Sequence, residues 1–239
     1  MAAEEEKMDR LKVMIVDDDS NIAQLIRLYA EKEGWLTTCC SNGMVALQEF
    51  NRFMPDVVIL DIIMPQMDGW ETCRRIREFS TVPIIMLTAK GDTLDVVSGL
   101  DMGADDYITK PFEPKILISR IKANTRRIKG KDSKVISYPD LTIEIDNYKV
   151  IYKGTVYEFP PKEIQLLYFL ASNPNKVFSR EQLLENVWGF DYFGETRTID
   201  VHMKRIRCKL KQGNRKNEDE SAAWALRTVW GVGYKFELK

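Results

Sequence analysis

The 239-residue sequence holds a single histidine, His202, and four cysteines, Cys39, Cys40, Cys73 and Cys208, with no Cys-x-x-Cys pair and no histidine at metal-ligand spacing. These shortages exclude a zinc site built from thiolates and imidazoles. Adjacent Cys39 and Cys40 rarely close on each other, so the thiols are expected to be reduced and buried. No apolar run approaches the roughly 20 residues a helix needs to cross a bilayer, which excludes a helical span and predicts no membrane partner. The opening MAAEEEKMDR lacks the basic-then-apolar pattern of a signal peptide and predicts a solvated lead-in to a cytoplasmic protein. Net charge is scarce too, at −1 from 35 basic and 36 acidic side chains.

That balance conceals a division. Residues 1–129 hold 17 basic and 21 acidic side chains, whereas 130–239 hold 18 and 15, an asymmetry that points to different partners for the two halves. With 44% hydrophobic and 30% charged residues, the chain suits two ordinary globular domains. RIKGKDSKVIS, 127–137, is rich in Lys, Gly and Ser without an apolar period. The expected organisation is therefore a first domain over 1–127, a linker over 128–135 and a second domain over 136–239.

In the first half, short apolar runs at KVMIV (12–16), WLTTCC (35–40), DVVIL (56–60), PIIML (83–87) and DYI (106–108) alternate with helical spacing. An example is NIAQLIRLYAEKEG, where Ile22, Leu25, Ile26 and Tyr29 share a face. The alternation predicts an α/β doubly wound, five-stranded parallel sheet. Ligands of such sheets lie beyond the carboxyl ends of the strands, where the sequence reads Asp17-Asp18-Asp19, Asp61, Thr88 and Lys110-Pro111. One aspartate at a strand end is ordinarily a helix cap or turn residue, and Asp19 or Ser20 fits a cap. Four strand ends carrying this set in this order point instead to one site. Carboxylates held together repel unless a cation sits among them, and a few carboxylates with open positions suit Mg²⁺ better than a Ca²⁺ cage. A hydroxyl and an ammonium opposite the metal are what a phosphoryl group requires, and Asp61 then becomes a nucleophile toward phosphorus.

The stretches VDDD, LDIIMPQMDGWE, MLTAK and GADDYITKPF, in that order, resemble the receiver domain of two-component response regulators over residues 10–127. The resemblance implies that Asp61 accepts a phosphoryl group from the phosphohistidine of a sensor histidine kinase. It implies that Asp18, Asp61 and the Ile63 carbonyl bind Mg²⁺, that Asp17 orients a water on the metal, and that Thr88 and Lys110 hold the phosphoryl oxygens. Tyr107 would be the switch aromatic that turns inward as Thr88 moves, and the peptide before Pro111 would be cis. The resemblance further implies a phosphorylation-dependent homodimer through the helix between the fourth and fifth strands, the fifth strand and the helix after it. Asp105, Asp106, Arg120 and Arg127 match the family's cross-dimer ion pairs, while Ser98 and Ile116 stand where relatives often have a pairing Arg and Glu.

In the second half, ISYPDLTIEIDNYKVIYKGTVYEF alternates apolar residues such as Leu141, Ile143 and Ile145 between turn signals at Asp146-Asn147 and Lys153-Gly154, a short antiparallel sheet. Three helices follow. The first comes after Pro160-Pro161 with Ile164, Leu167 and Leu170 inward, and the second opens on a capping box, Ser179 with Gln182. In the third, TRTIDVHMKRIRCKLK (196–211), Ile199, Met203, Ile206 and Leu210 form one stripe, Arg197, Lys204 and Lys211 project opposite, and Arg205 and Arg207 lie on the flanks. A basic amphipathic helix is often only a solvated face, but a major groove admits one, and neutralised phosphates release counterions. The polar stretch KQGNRKNEDESAA reads as a loop, and the chain closes on LRTVWGVGYKFELK, two strands around a Gly-Val-Gly turn.

PPKEIQLLYFLASNPNKVFSREQLLENVWG, TRTIDVHMKRIRCKL and TVWGVGYKF resemble the α+β winged-helix effector of OmpR/PhoB-type regulators over residues 136–239. The resemblance implies that the third helix enters the major groove of double-stranded promoter DNA, that the hairpin is a wing near the adjacent minor groove, and that the loop WGFDYFGET faces RNA polymerase. By position, Arg197, His202, Lys204, Arg205 and Arg207 are the expected DNA contacts, with Arg197 and Arg205 open as phosphate anchors or base readers. His202 lies nearer the core stripe and reads as packed or phosphate-bonded, not catalytic. Trp230 stands where many relatives carry a wing arginine, so stacking or packing is expected there instead.

The whole chain reads as a phosphorylation-dependent transcriptional regulator and not a turnover enzyme. A haloacid-dehalogenase-like phosphatase would also combine an Asp nucleophile, Mg²⁺, Thr and Lys, but its DxDx[TV] pattern fails in DDDSN at Asn21. A DNA-binding regulator whose receiver is never phosphorylated is a third reading, against which the intact acidic set stands.

Overall fold

The structure, a computed structural model, describes residues 10–89, 103–125, 135–189, 196–210 and 223–239. It divides into two compact units, residues 1–125 and 126–239. In the first unit the apolar runs become β1 (Lys12–Val16), β2 (Leu36–Cys40), β3 (Val57–Asp61), β4 (Ile84–Ala89) and β5 (Asp106–Lys110). They form one parallel sheet in the order β2-β1-β3-β4-β5. The described helices are α1 (Ser20–Lys32), α2 (Gly43–Phe53), α3 (Gly69–Arg77) and α4 (Pro114–Thr125). Val13 to Val16 and Val57 to Leu60 are fully buried. Their apolar runs are continuous rather than alternating because helices cover both faces of a parallel sheet. On one face Val13, Ile15, Ile59 and Leu87 pack with Ile26 of α1 and Leu117 and Ile121 of α4.

Local chemistry fixes the helix starts. Asp19, Asn42 and Asp68 accept hydrogen bonds from the backbone N–H groups of Asn21, Val45 and Glu71, capping α1, α2 and α3. Of the two candidates at the start of α1, Asp19 is thus the cap. Strand register then decides what meets at the rim. Val16 lies opposite Leu60, so the chain runs side by side into Asp17 and Asp61 at the point where strand order reverses. Ala89 lies opposite Lys110, which brings the ends of β4 and β5 to the same edge. The Lys110–Pro111 peptide is cis.

The second unit opens with the antiparallel sheet β6 (Val135–Tyr138), β7 (Leu141–Glu144), β8 (Lys149–Tyr152) and β9 (Thr155–Glu158). Lys153 and Gly154 both have positive φ, as the two-residue turn between β8 and β9 requires. Helix α5 (Pro161–Ala171) begins on a proline at its first turn, and α6 (Arg180–Val187) on the Ser179–Gln182 capping box. Helix α7 (Arg197–Lys209) buries Ile199, Met203 and Ile206. The hairpin of β11 (Trp224–Val229) and β12 (Gly233–Leu238) pairs with the short β10 (Phe178–Ser179) in the order β10-β12-β11. Trp224 stacks on Phe236 with ring centroids 5.1 Å apart, so the hairpin's base belongs to the core of this unit.

One close approach supports the rim of the first unit. Gly69, the first residue of α3, donates its N–H to the Ile62 carbonyl at 2.9 Å, and a Cβ there would lie 2.1 Å from the Asp61 carbonyl oxygen. Gly69→Ala is expected to destabilise this unit by about 1–3 kcal/mol through overpacking. Native-state hydrogen exchange should show the loss in β1 and β3 amides and leave the second unit unchanged.

Candidate functional site

At the strand-end rim, Asp17, Asp18 and Asp61 each offer a carboxylate oxygen within 4.8 Å of the others. Asp17 and Asp61 are buried and Asp18 is exposed. The Lys110 ammonium stands 2.9 Å from Asp17 Oδ2 and 2.9 Å from Asp61 Oδ1. The second oxygen of Asp17 accepts the Asp19 N–H at 2.9 Å, so the loop that caps α1 also holds Asp17 in place. Thr88 is 1% exposed, and its hydroxyl has no hydrogen-bond partner among the described residues. A buried hydroxyl is rarely left unmatched, and Thr88 stands one residue before the end of β4, the strand next to the one that ends on Asp61. Ile63, two residues past Asp61, turns its side chain to solvent, and Tyr107 is buried in β5.

Electrostatics at this rim are unbalanced. Burial pushes the Asp61 carboxyl above its usual range; Lys110 pulls it back in part, while the charge of Asp17 adds to the upward push. For Lys110, burial lowers the ammonium, but hydrogen bonds and charges from Asp61 and Asp17 outweigh it and leave it above its usual value. Of the three clustered carboxylates, Lys110 pairs with Asp17 and Asp61, leaving a donor set short of positive charge. Hard oxygen ligands of this kind suit a small divalent cation.

Three of the expected cross-dimer residues are engaged within the chain. Asp105 accepts from Arg77 Nη2 at 2.6 Å and from the Ile84 N–H at 2.8 Å. Asp106 accepts from Arg120 Nη1 at 2.7 Å and from Asn124 at 3.0 Å. All three are buried, because α4 lies against β5 and directs Arg120 back over that strand's start. In the single chain Asp105, Asp106 and Arg120 thus pair within their own unit; Arg127 and Ser98 lie outside the described residues, and Ile116 is half-buried.

Helix α7 divides its charges in a similar way. Arg197 and Lys204 are exposed. Arg205 is directed to the buried Glu163 of α5 at 3.5 Å, and Lys209 reaches the same carboxylate at 3.4 Å. Arg207 donates to the Leu226 carbonyl at 2.9 Å and to Thr228 Oγ1 at 3.0 Å, tying α7 to β11. His202 is 0% exposed, its ring 5.2 Å from that of Trp188. The expected duplex contact by His202 is therefore corrected to core packing. Residues 190–195 and 211–222, Lys211 among them, lie outside the described residues.

Sequence reasoning missed the residues that orient α7. Asp200 accepts from Arg180 at 2.7 Å and from the Tyr234 hydroxyl at 2.7 Å. Arg180 and Arg207 both lie over the Tyr234 ring, at 5.3 and 5.5 Å. Burial first, and then the hydrogen bond to Asp200, push the Tyr234 phenol up to about 12. The signal available beforehand was one acidic residue in a basic helix, Asp200.

Comparison with known proteins agrees with this geometry. Residues 13–122 match the response regulator receiver domain, and residues 154–236 match the C-terminal domain of transcriptional regulatory proteins. The chain is 46% identical to the transcriptional regulatory protein YclJ of Bacillus subtilis, over 95% of this chain and 99% of that protein. It is 41% identical to the transcriptional regulatory protein ResD of the same organism, over 98% of each. Among solved structures, the response regulator DrrB, a Thermotoga maritima OmpR/PhoB homologue, superposes with a TM-score of 0.51 at 35% identity, over 95% of this chain and 99% of that one.

The acidic rim makes a testable demand on stability. Because the folded-state pKa of Asp61 is raised above 3.8, its favourable contribution exists below that value and is lost as pH rises through the raised folded value. At neutral pH the ionised carboxylate therefore costs stability, and Asp61→Asn is expected to raise the thermal midpoint of the metal-free chain. A divalent cation at a hundredfold its Kd should stabilise the wild type by about 2.7 kcal/mol. Thermal melts should show most of that gain missing in Asp17→Asn and Asp61→Asn.

Proposed function

This chain belongs to the response regulators that carry a receiver domain followed by a DNA-binding transcriptional regulatory domain, and from that premise we propose that phosphoryl transfer to Asp61 switches its binding to promoter DNA. The observation that carries the reading is Lys110 bridging Asp17 and Asp61 at the strand-end rim. In the proposed step an Asp61 carboxylate oxygen attacks phosphorus, the phosphorus–nitrogen bond of a kinase phosphohistidine breaks, and the imidazole leaves with the bonding pair and takes up a proton. Asp18, Asp61 and the Ile63 carbonyl would hold Mg²⁺, with Asp17 orienting a water on it, and the ion would supply positive charge to the phosphoryl oxygens. Lys110 turns its ammonium from the carboxylates to the new phosphoryl oxygens, and Thr88 donates its hydroxyl to them.

Two added negative charges then bias the position of Thr88, and Tyr107 relays the change to a face on which two receivers pair. Two effector domains brought together match a repeated site on the duplex. Arg197 and Lys204 meet the DNA, and Arg205 and Arg207, held by Glu163 and β11, set the pose of α7. The chain acts in the cytoplasm, receives its phosphoryl group from a sensor histidine kinase, and presents the loop around 188–196 to RNA polymerase. It is a regulator without turnover. Against a phosphatase of the DxDx[TV] type stands Asn21, where that pattern needs Thr or Val, while Asp19 caps α1 through the Asn21 N–H at 2.8 Å.

Incubation with acetyl phosphate and Mg²⁺ is expected to give one acid-stable, hydroxylamine-labile phosphate per wild-type chain and none in Asp61→Ala, read by intact mass. Continuous release of inorganic phosphate would support the phosphatase instead. In anisotropy titrations with duplex DNA, Arg197→Ala and Lys204→Ala should each lower the slope of log affinity against log salt by about 1 if each meets a phosphate.

A further inference from the structure

We infer that the C-terminal ends of α2 and α3 form a self-pairing face of the first unit, one that joins two copies of this chain without phosphoryl transfer. Met54, directly after α2, is 64% exposed, and Phe79, two residues after α3, is 55% exposed. They belong to one patch. The Met54 N–H donates to the Phe50 carbonyl at 2.8 Å, and the Phe50 ring meets the Phe79 ring edge to face with centroids 5.2 Å apart. Met54-Pro55-Asp56 leads into β3, and Phe79 lies in the segment that leads into β4. The patch therefore lies at the pole where these strands begin, and the acidic rim at the pole where they end.

The backbone sets Met54 apart. It caps α2 with φ 51° and ψ 67°, the left-handed conformation that a helix end ordinarily assigns to Gly or Asn. A larger side chain there is strained, and most of this one remains in solvent, so the fold draws little from it. Charge selects the occupant of the patch. The surface ion pairs of α2 and α3 join three cations, Arg52, Arg74 and Arg75, to three anions, Glu49, Glu71 and Glu78. That balance offers nothing to a strongly basic or acidic partner. It suits a second copy, because Arg52 borders the patch beside Met54 and Glu78 borders it beside Phe79. A twofold axis through the patch sets each Arg52 against Glu78 of the partner subunit, with the Met54 and Phe79 side chains of both copies between them. Exposed ion pairs of this kind set orientation, and the apolar centre supplies affinity. The face uses neither β5 nor α4, so it is separate from the phosphate-dependent pairing proposed above.

Sedimentation velocity of the full chain, over about 1 μM to 1 mM, is expected to show a reversible monomer–dimer equilibrium. It is measured without phosphoryl donor or divalent ion, so its failure leaves the Asp61 reading standing. Met54→Asn, which suits the left-handed backbone, and Phe79→Ser should each weaken pairing by about tenfold or more. Met54→Asn should also keep or raise the thermal midpoint, which separates lost pairing from lost folding. Arg52→Glu and Glu78→Arg should each weaken pairing, and an equimolar mixture of the two should pair at wild-type strength, since every contact across the axis then joins opposite charges. A wild-type chain that stays monomeric throughout overturns the inference. So does a dimer that Met54→Asn and Phe79→Ser both leave intact, or a mixture of the charge variants that pairs no better than either alone. Slower phosphoryl transfer from a histidine kinase to Phe79→Ser, with self-association unchanged, assigns the patch to the kinase and overturns the second copy.

Discussion

One ammonium organises the first unit. Lys110 comes from an edge strand, yet its Nζ lies 2.9 Å from carboxylates that follow β1 and end β3. Two buried acids side by side would otherwise repel each other and lose their hydration with nothing in return. The cis peptide at Pro111 and the cap at Asp19 lie within two residues of these side chains in sequence, and Gly69 approaches the Asp61 backbone in space. Sheet register brings the ends of the strands to one rim, and the lysine makes that rim tolerable. The same placement leaves the acidic rim short of positive charge, a donor set that suits a small divalent cation.

The second unit solves the reverse problem, a helix with too many cations. Glu163, buried on α5, draws Arg205 and Lys209 inward. Asp200 draws Arg180 and the Tyr234 hydroxyl to one oxygen. These contacts attach α7 to α5, α6 and the hairpin, so its exposed face is presented at a fixed angle. Truncating one partner of such a buried pair is costly because it strands the other, which makes these residues structural even though their charges suggest a ligand.

The sheet, its rim and the order of helices were readable in advance because each leaves a local mark. Buried parallel strands give unbroken apolar runs, and a ligand rim gives polar residues directly after them. The capping box at Ser179 and the turn at Lys153-Gly154 are equally local. Side-chain direction was not readable for Asp106 and Arg120, which are 14 residues apart in sequence and meet only because α4 folds back over β5. Nor was it readable for Arg205 and Arg207. Both lie on the flanks of the core stripe, where a long side chain can turn either way, and the decision rests on Glu163 and Leu226, from other elements. His202 sits one position from Met203 of that stripe, and close packing against Trp188 took it inside.

The inward turn of Arg205, Arg207 and Lys209 has a consequence for how the protein finds its target. Affinity for arbitrary DNA is almost wholly a matter of cations facing phosphates, and α7 has committed three of its own to neighbours in its own fold. Fewer outward cations on α7 leave fewer phosphate contacts available to a duplex of any sequence.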